Sequence, residues 1–263
     1  MESLLYEGAH RELFKIFLEL VDDSKAQTAA ILDLASWENA RSLLSVGGGQ
    51  GVVEATLLQN APQAKVWYLD PSPEQCQAFR QHMKQENLLE RVEAVAETTF
   101  QEYNTDQKFD HIVSMFSWFY IGTDKRWLTK LLSLLTPNGI ACIVLPNNGS
   151  IEADFNRSLS PDKRTTLVSG DVITALQELD CTVTQHTYVK WLAINDLFDG
   201  ELVSKASLAF AAFVALRPIT TFTSAEKQHI VDLLNTRREA EGVPLRWDVI
   251  VVRKEEKHSQ GNI

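Results

Sequence analysis

Short apolar runs alternate with longer stretches of helical spacing through the middle of the chain. The apolar runs are Ser42–Val46, Val66–Leu69, Val92–Ala96, His111–Phe116 and Ile140–Leu145. The stretches with apolar residues at helical spacing lie at about 50–60, 73–88 and 124–135. Unbroken apolar strands separated by helices indicate a parallel sheet that is covered on both faces. We therefore expect an α/β fold with a doubly wound sheet of about seven strands.

The segments on either side of this alternation predict further pieces of the same domain. Residues 10–20 and 26–34 have helical spacing and precede the first strand. Beyond Pro146 the expected elements are a helix at 168–179, strands at Thr182–Val189 and Val249–Val252, and helices at 200–214 and 224–240. We expect one compact domain overall, with an N-terminal helical lid (1–37), the main body (38–255) and a polar tail (256–263).

Two local signals refine these expectations. Thr136-Pro137-Asn138-Gly139 has the composition of a turn, which would lead into the fifth strand. Thr223-Ser224-Ala225-Glu226 is typical of a capping box, which would begin the last helix.

Charge and cysteine content narrow the classes of partner. The formal net charge of −10 and the scattered basic residues argue against a nucleic-acid partner. No apolar stretch approaches the length of about 20 residues that crosses a bilayer, and the N-terminus lacks a secretion signal. Cys76, Cys142 and Cys181 are far apart without metal-ligand spacing, so we expect no metal, no disulfide and a cytoplasmic protein.

A glycine turn follows the first strand at Gly47-Gly48-Gly49-Gln50-Gly51. Glycine permits the positive φ angles of an abrupt strand-to-helix turn, and it lets a ligand approach the backbone at the helix N-terminus. Asp70 ends the second strand 19 residues later, where a carboxylate can accept the hydroxyl hydrogens of a ribose. Val52 occupies the place of a dinucleotide turn's third glycine. The pattern therefore favours another nucleoside ligand over nicotinamide or flavin, and a tight turn without a ligand remains the alternative.

Leu44–Gly51 and Asp70-Pro71-Ser72-Pro73-Glu74-Gln75 together resemble the class I S-adenosylmethionine-dependent methyltransferases, which have a Rossmann-like sheet. Within that class the chain is similar to the histamine N-methyltransferase group, which also has a serine before the turn in place of the more usual acidic residue. The likeness extends loosely over about 1–200. It implies S-adenosyl-L-methionine as cofactor, with contacts from Gly47, Gly48, Gly49, Gly51, Asp70, Pro71, Gln75, Thr98, Thr99 and Met115.

The methyl acceptor is expected near the aromatic run Phe116-Ser117-Trp118-Phe119-Tyr120, which follows the fourth strand. Ligands of open α/β sheets bind outside the carboxyl ends of the strands, and aromatic faces attract cationic amines. Packing in the core is the alternative for these rings. The residues expected to bind the acceptor are Phe14, Phe116, Tyr120, Trp191 and Asp196. Tyr120 and His10 are the candidates for catalysis, with Asp196 and Asp199 as further candidate bases.

Two departures from the histamine group argue against histamine as the acceptor. Ala26 stands where that group has a carboxylate, and Phe116 stands where it has an amide. The resemblance therefore implies methylation of a more apolar small molecule, at nitrogen. The alternatives are C- or O-methylation of a biosynthetic intermediate, which requires a base, and a non-catalytic nucleoside-binding scaffold. The expected partners are a small-molecule acceptor, no nucleic acid and no membrane, with the protein a monomer or a homodimer.

Overall fold

The computed structural model describes residues 15–16, 19–21, 23–160, 167–200 and 202–255. By its internal contacts the chain divides into two compact units. The first unit consists of Lys25–Val144, Asp171–His186 and Val249–Ile263. The second unit consists of Met1–Ser24, Leu145–Gly170 and Thr187–Asp248.

Seven strands form one mixed sheet in the order β3-β2-β1-β4-β5-β9-β6. They are β1 (Ser42–Val46), β2 (Lys65–Leu69), β3 (Val92–Ala96), β4 (Phe109–Met115), β5 (Leu135–Pro146), β6 (Cys181–Leu192) and β9 (Val243–Lys254). β1 is parallel to both β2 and β4, so the strand order reverses beside β1. The doubly wound sheet predicted from the apolar runs is confirmed, and such a reversal is where open α/β sheets bind ligands.

The helices that the structure describes lie before and between these strands along the chain. They are α1 (Ser24–Leu34), α2 (Val52–Asn60), α3 (Pro73–Gln85), α4 (Lys125–Leu134), α5 (Ile151–Leu159), α6 (Ser169–Leu176), α7 (Ile194–Leu197), α8 (Lys205–Val214) and α9 (Ser224–Thr236). The sequence did not predict α5, α7 or the small hairpin of β7 (Phe198–Asp199) and β8 (Leu202–Val203). The capping box at the start of α9 is confirmed, with Thr223 and Glu226 each bonded to the other's backbone N–H.

The turn predicted at Thr136–Gly139 is not a separate turn before the fifth strand. β5 already begins at Leu135, and the four residues form an irregularity inside it. Phe109 of β4 pairs with Leu135, whereas His111 pairs with Ile140. The Pro137-Asn138-Gly139 sequence has turn chemistry, but pairing with β4 resumes on both sides and absorbs the extra residues as a bulge.

Apolar side chains of α5, α8 and α9 form the core of the second unit. Phe155 and Phe210 are fully buried there, with their ring centroids 5.3 Å apart and nearly perpendicular. Ile151, Ala209, Ile230 and Leu234 belong to the same core. Helix α8 begins where Ser204 accepts a hydrogen bond from the N–H of Ser207. The helices are thus fixed both by capping and by burial.

A buried carboxylate lies on β9 within the second unit. Asp248 is fully buried and accepts hydrogen bonds from Asn147 Nδ2 at 2.9 Å, from Thr187 Oγ1 at 2.6 Å and from the Ser169 hydroxyl. Asn147 is held in turn, because its own N–H donates to the carbonyl of Arg246 at 3.0 Å. Hydrogen bonds to a buried carboxylate replace the water that it loses on folding.

His111 lies near the amino-terminal end of β4 and packs against the segment after α1. Its ring is stacked on Trp37 with centroids 4.0 Å apart, and its Nε2 lies 3.0 Å from the carbonyl of Ser36. Burial lowers the pKa of His111. The imidazole is therefore neutral at neutral pH and serves as a packing group.

Two further findings concern the cysteines and the helices. Cys76, Cys142 and Cys181 are buried and not joined in disulfides, and burial raises the pKa of the Cys142 thiol to about 12. No helix among the described residues is long and apolar enough to span a membrane.

Candidate functional site

The turn between β1 and α2 contains three glycines in the left-handed region. Their φ angles are 66° at Gly47, 57° at Gly49 and 83° at Gly51. The turn is tied to the neighbouring strand because the N–H of Gly47 donates to the carbonyl of Leu69 at 2.7 Å. Only glycine adopts such a sequence of angles at low cost.

Side chains also pack against the turn so closely that no larger residue fits. A Cβ atom at Gly47 would collide with Ser117, and one at Gly51 would collide with the ring of Phe79. A Cβ atom at Gly48 would collide with the oxygens of Ser45 and Glu54. The bare backbone is therefore required by its surroundings as well as by its angles, and Gly47, Gly48 and Gly49 remain half-exposed.

Tyr68, which sequence reasoning did not single out, braces the turn from β2. Its hydroxyl lies 2.7 Å from the carbonyl oxygen of Gly49 and 3.2 Å from Asp70 Oδ2. Its ring stacks on Phe79 with centroids 4.0 Å apart. Burial, with the negative charge of Asp70, raises the pKa of Tyr68 far above its usual range. The phenol thus stays neutral and remains a donor.

Asp70 directly follows β2, as the sequence predicted. Its Oδ1 accepts the N–H of Ser72 at 2.9 Å, and Ser72 caps α3 by accepting the N–H of Gln75. Only 8% of Asp70 is exposed, whereas Pro71 beside it is exposed. The carboxylate is therefore held in one orientation at the carboxyl edge of the sheet, next to the glycine turn.

Gln75 lies in the first turn of α3 with its side chain beside Gly49. Its Oε1 would lie 3.8 Å from a Cβ atom at Gly49, and that oxygen is buried without a hydrogen-bond partner among the described residues. An unpartnered buried amide oxygen next to a bare backbone marks a place where a ligand can donate a hydrogen bond.

Thr98 and Thr99 follow β3 and are both half-buried. The hydroxyl of Thr99 donates to Glu102 Oε2 at 2.9 Å and also accepts the N–H of Glu102. Thr99 thus organises the loop after β3, and its predicted contact with an adenine stays a prediction, as does that of Thr98.

The carboxyl end of β4 is fastened to the end of β1. Ser117 donates to the carbonyl of Val46 at 2.6 Å, and the hydroxyls of Ser114 and Ser117 are 2.7 Å apart. Between them Phe116 adopts a left-handed φ of 48°, and its N–H donates to Val144 at 2.9 Å. Such a conformation costs about 1 kcal/mol or more for a residue with a Cβ atom. Phe116 and the preceding Met115 are both half-buried.

The aromatic run after Phe116 separates into buried and exposed rings. Trp118 is fully buried, packs against Phe100 and donates its Nε1–H to the carbonyl of Gly122 at 3.1 Å. Tyr120 is 39% exposed, with its ring 4.3 Å from that of Phe119. Trp118 therefore packs the core, and Tyr120 is accessible to an acceptor or a proton.

The remaining predicted acceptor residues lie outside the first unit or outside the described residues. Trp191, near the end of β6, is 37% exposed, and Asp196 is exposed in the first turn of α7. His10 and Phe14 lie outside the described residues. Their predicted contacts with an acceptor stay predictions.

Glu54, a second residue that sequence reasoning missed, lies beneath the turn. It belongs to the first turn of α2 and is only 1% exposed. Its Oε1 accepts the hydroxyl of Ser45 at 2.6 Å, and its Oε2 has no partner among the described residues. Burial raises the pKa of Glu54 to about 7. Glu54 follows Ser45 by nine residues, across the turn. An acidic residue in the first turn of a helix is common, so the sequence alone does not mark Glu54 as part of the site.

These features fit S-adenosylmethionine better than a dinucleotide. The turn leaves bare backbone at a helix N-terminus, and Asp70 stands one strand away, as a ribose requires. Gln75 Oε1 and Glu54 Oε2 are buried oxygens that can still accept hydrogen bonds. Acceptors and a negative charge suit a ligand that carries hydroxyl groups and a positive sulfur.

Comparison with known proteins agrees with this geometry. Residues 44–141 match the family model of a methyltransferase domain. No curated protein sequence matches the chain.

Solved structures share the fold at low sequence identity. A methyltransferase from Thiobacillus denitrificans in complex with S-adenosylhomocysteine is 14% identical, with a TM-score of 0.59, over 92% of this chain and 98% of the other. A plantazolicin methyltransferase in complex with the same nucleoside is 14% identical, with a TM-score of 0.57, over 97% of this chain and 93% of the other. A candidate sarcosine dimethylglycine methyltransferase from Galdieria sulphuraria is 16% identical, with a TM-score of 0.56, over 88% and 85%.

The matched segment contains β1 to β4 and most of β5, and with them the glycine turn, Asp70 and the end of β4. The fold is therefore the Rossmann-like fold of class I methyltransferases. Residues 44–141, which include the glycine turn and Asp70, are similar to a methyltransferase domain, and S-adenosylmethionine is the methyl donor that such a domain would use.

Proposed function

We propose that the protein transfers the methyl group of S-adenosylmethionine to a nitrogen atom of an apolar or aromatic small molecule. The observation that carries the proposal is the prearranged first unit, in which Tyr68 holds both the glycine turn and Asp70. The acceptor would approach Phe116, whose left-handed backbone places an aromatic residue at the carboxyl end of β4.

The bound donor supplies an electrophilic methyl group on a positive sulfur. The chain's residues bind and orient it: Asp70 accepts hydrogen bonds from the ribose, and Gln75 Oε1 accepts another from the ligand. Phe116 and Tyr120 line the acceptor side and exclude water. Orientation of this kind lowers barriers by about 7–11 kcal/mol in well-aligned reactions, so a neutral amine needs no strong base.

The choice of nitrogen rests on the resemblance to the histamine N-methyltransferase group. The expectation of an apolar acceptor is supported by the residues at two positions. Phe116 offers a ring where that group has an amide, and Ala26, at the place of its carboxylate, is exposed on α1. These residues support an apolar acceptor in place of histamine.

Donor binding and methyl transfer are tested separately. Calorimetry should show micromolar binding of S-adenosylmethionine and S-adenosylhomocysteine, and Asp70→Ala should weaken both by about a hundredfold because a ribose partner is lost. Gln59→Ala, on the exposed face of α2, is the control and should bind normally. No heat and no thermal shift with either nucleoside would reject the proposal.

Transfer is then assayed with methyl-labelled donor and a panel of arylalkylamines, phenols and carbon acids, followed by mass spectrometry. Labelled amines support N-methylation. Labelled phenols or carbon acids, with turnover lost in Tyr120→Phe but donor binding intact, would instead support the base-dependent alternative. No labelled product in any class would favour a non-catalytic scaffold. We also propose a reducing, cytoplasmic setting, which suits the three free thiols.

A further inference from the structure

The carboxyl group of Glu54 is positioned to respond to the charge of the ligand on the glycine turn. It lies in the first turn of α2 and packs against the backbone of Gly48. A Cβ atom at Gly48 would collide with Oε1 of this carboxyl group. The Ser45 hydroxyl holds one oxygen at 2.6 Å, while the other oxygen is buried and unpartnered. Because the carboxyl group is buried, it loses most of the hydration that stabilises its charged form.

The groups that act on Glu54 do not supply a positive charge either. Asp70, after β2, is negative and disfavours ionisation of Glu54, and Tyr68 on β2 is neutral. Ser45 on β1 and the backbone N–H of Glu54 itself favour ionisation through hydrogen bonds, but neither carries a charge. Among the described residues, no basic side chain contributes to the titration of Glu54. A cation at this point would therefore have to come with the ligand.

The methyl donor and its product differ in that charge. S-adenosylmethionine has a positive sulfonium, and loss of the methyl group leaves the neutral thioether of S-adenosylhomocysteine. Both share the same ribose, adenine, amino group and carboxylate. A buried carboxylate close to the turn would distinguish the two by electrostatics, because an opposite charge favours the ionised form of an acid.

We propose that Glu54 is a charge-sensing residue of the donor site, whose carboxyl group releases its proton to solvent when the cationic donor binds and keeps it when the neutral product binds. The inference rests on donor binding and is independent of the acceptor. The protein would then bind S-adenosylmethionine in preference to S-adenosylhomocysteine. Ser45 occupies the usual acidic position before the turn, so the carboxylate next to the turn comes from Glu54 on α2 instead.

The preference should depend on pH in a defined window. With a pKa of about 7, the ionised fraction of Glu54 without ligand is about one tenth at pH 6.0 and about three quarters at pH 7.5. Donor affinity should therefore rise by up to about eightfold over this range, which lies below the usual pKa of an amino group at about 7.7–8.0. Product affinity should change by less than about twofold.

The experiment is calorimetry of both nucleosides at pH 6.0 and 7.5, without acceptor, in two buffers of different ionisation enthalpy. The wild-type protein should release protons with the donor and not with the product. Glu54→Gln should abolish the proton release and the pH dependence, and should bind the donor at pH 7.5 no more tightly than the wild type does at pH 6.0, while leaving the product unchanged. Glu152→Gln, at another buried glutamate with a pKa near 7, is the matched control and should behave as wild type.

Two further variants separate charge sensing from simple structural support. Ser45→Ala removes a hydrogen bond that favours ionisation, so the rise in donor affinity should move to higher pH. The double variant Glu54→Gln/Ser45→Asp places a carboxylate on β1, beside Gly48, where the side chains of Ser45 and Glu54 both lie. It should restore part of the preference for the donor. Equal loss of donor and product binding in Glu54→Gln would overturn the inference, as would donor affinity in the wild type that does not change with pH. Failure of the wild type to bind either nucleoside would instead reject donor binding itself.

Discussion

Each unit contains a buried network of side chains around a carboxyl group, and the two networks differ in how completely they are satisfied. In the second unit Asp248 accepts hydrogen bonds from Asn147, Ser169 and Thr187. In the first unit Glu54 and Gln75 each keep a buried oxygen without a partner among the described residues. The hydrogen bonds of Asp248 are thus made within the protein. Glu54 and Gln75 each leave an oxygen to which a ligand can donate a hydrogen bond.

This contrast indicates where a ligand can bind in this fold. Buried polar atoms are nearly always paired, so an exception beside bare backbone at the carboxyl edge of a sheet indicates a binding site. The rule depends on position. His111 Nδ1 and Trp247 Nε1 are also buried without partners, but His111 lies near the amino-terminal end of β4, and Trp247 is stacked on Tyr188 within the second unit.

The largest expected effect separates the two networks by stability. Asp248→Asn replaces an acceptor by a donor opposite hydroxyl and amide donors, and should lower the free energy of unfolding by about 3 kcal/mol. Asp70→Asn should lower it by less than about 1 kcal/mol, because Oδ1 can still accept the N–H of Ser72. Urea unfolding of both variants measures the difference. Equal losses would show that both networks are structural.

The glycine turn provides the next largest effect. Gly51→Ala adds a Cβ atom to a left-handed residue and against the ring of Phe79. It should destabilise the protein by about 2 kcal/mol and weaken donor binding. Gly122→Ala is the control, because Gly122 has a φ of 89° but open space around it, so only the conformational cost of about 1 kcal/mol applies. Similar losses in both variants would mean that packing against Phe79 is unimportant.

A smaller effect is expected where Tyr68 links the turn to Asp70. Tyr68→Phe keeps the stacking on Phe79 and removes the hydroxyl near Gly49 and Asp70. Stability should fall by about 1 kcal/mol, and donor affinity should fall by about fivefold because Asp70 loses a fixed orientation. Calorimetry and thermal unfolding report these separately. Unchanged donor affinity would show that Ser72 alone positions Asp70.

The smallest effect concerns His111, whose unpartnered nitrogen is not a ligand site. Its folded pKa lies below the unfolded value of about 6.5, so the unfolded state takes up the proton first. This contribution to stability is full above pH 6.5 and is lost as pH falls below it. Urea unfolding between pH 5 and 7.5 should show this loss in the wild type and a reduced loss in His111→Gln. Donor binding at pH 7.5 should be the same in both proteins.

The core of the fold could be predicted because its signals are local. β1 and β3 were predicted to the residue, and α2, α3 and α4 to within a few residues, since apolar runs and helical spacing persist over whole elements. β5 was misjudged at its start, because turn residues there were absorbed into pairing with β4. α5 and α7 were missed, since short helices have few periodic positions.

The site was predictable to a similar extent. The glycine turn and Asp70 have a recognisable spacing, and the structure places them side by side at the carboxyl edge of the sheet. Tyr68 and Ser117 were missed because a tyrosine or a serine at a strand end has many possible roles. Whether Trp118 packs or binds could be decided only by its burial.

The parallel α/β core, the backbone freedom of the turn at Gly47–Gly51 and the carboxylate at Asp70 can be read from the sequence, because each depends on residue type and on neighbours close along the chain. Which side chains pack against that turn depends on contacts between residues far apart in sequence. Tyr68 reaches Gly49 across 19 residues and Ser117 reaches Val46 across 71, since β2 and β4 both lie beside β1. The Ser45 hydroxyl and the Glu54 carboxyl meet only because the turn folds α2 back over β1. This contact places the buried carboxyl group of Glu54 next to the glycine turn, which the sequence pattern alone does not reveal.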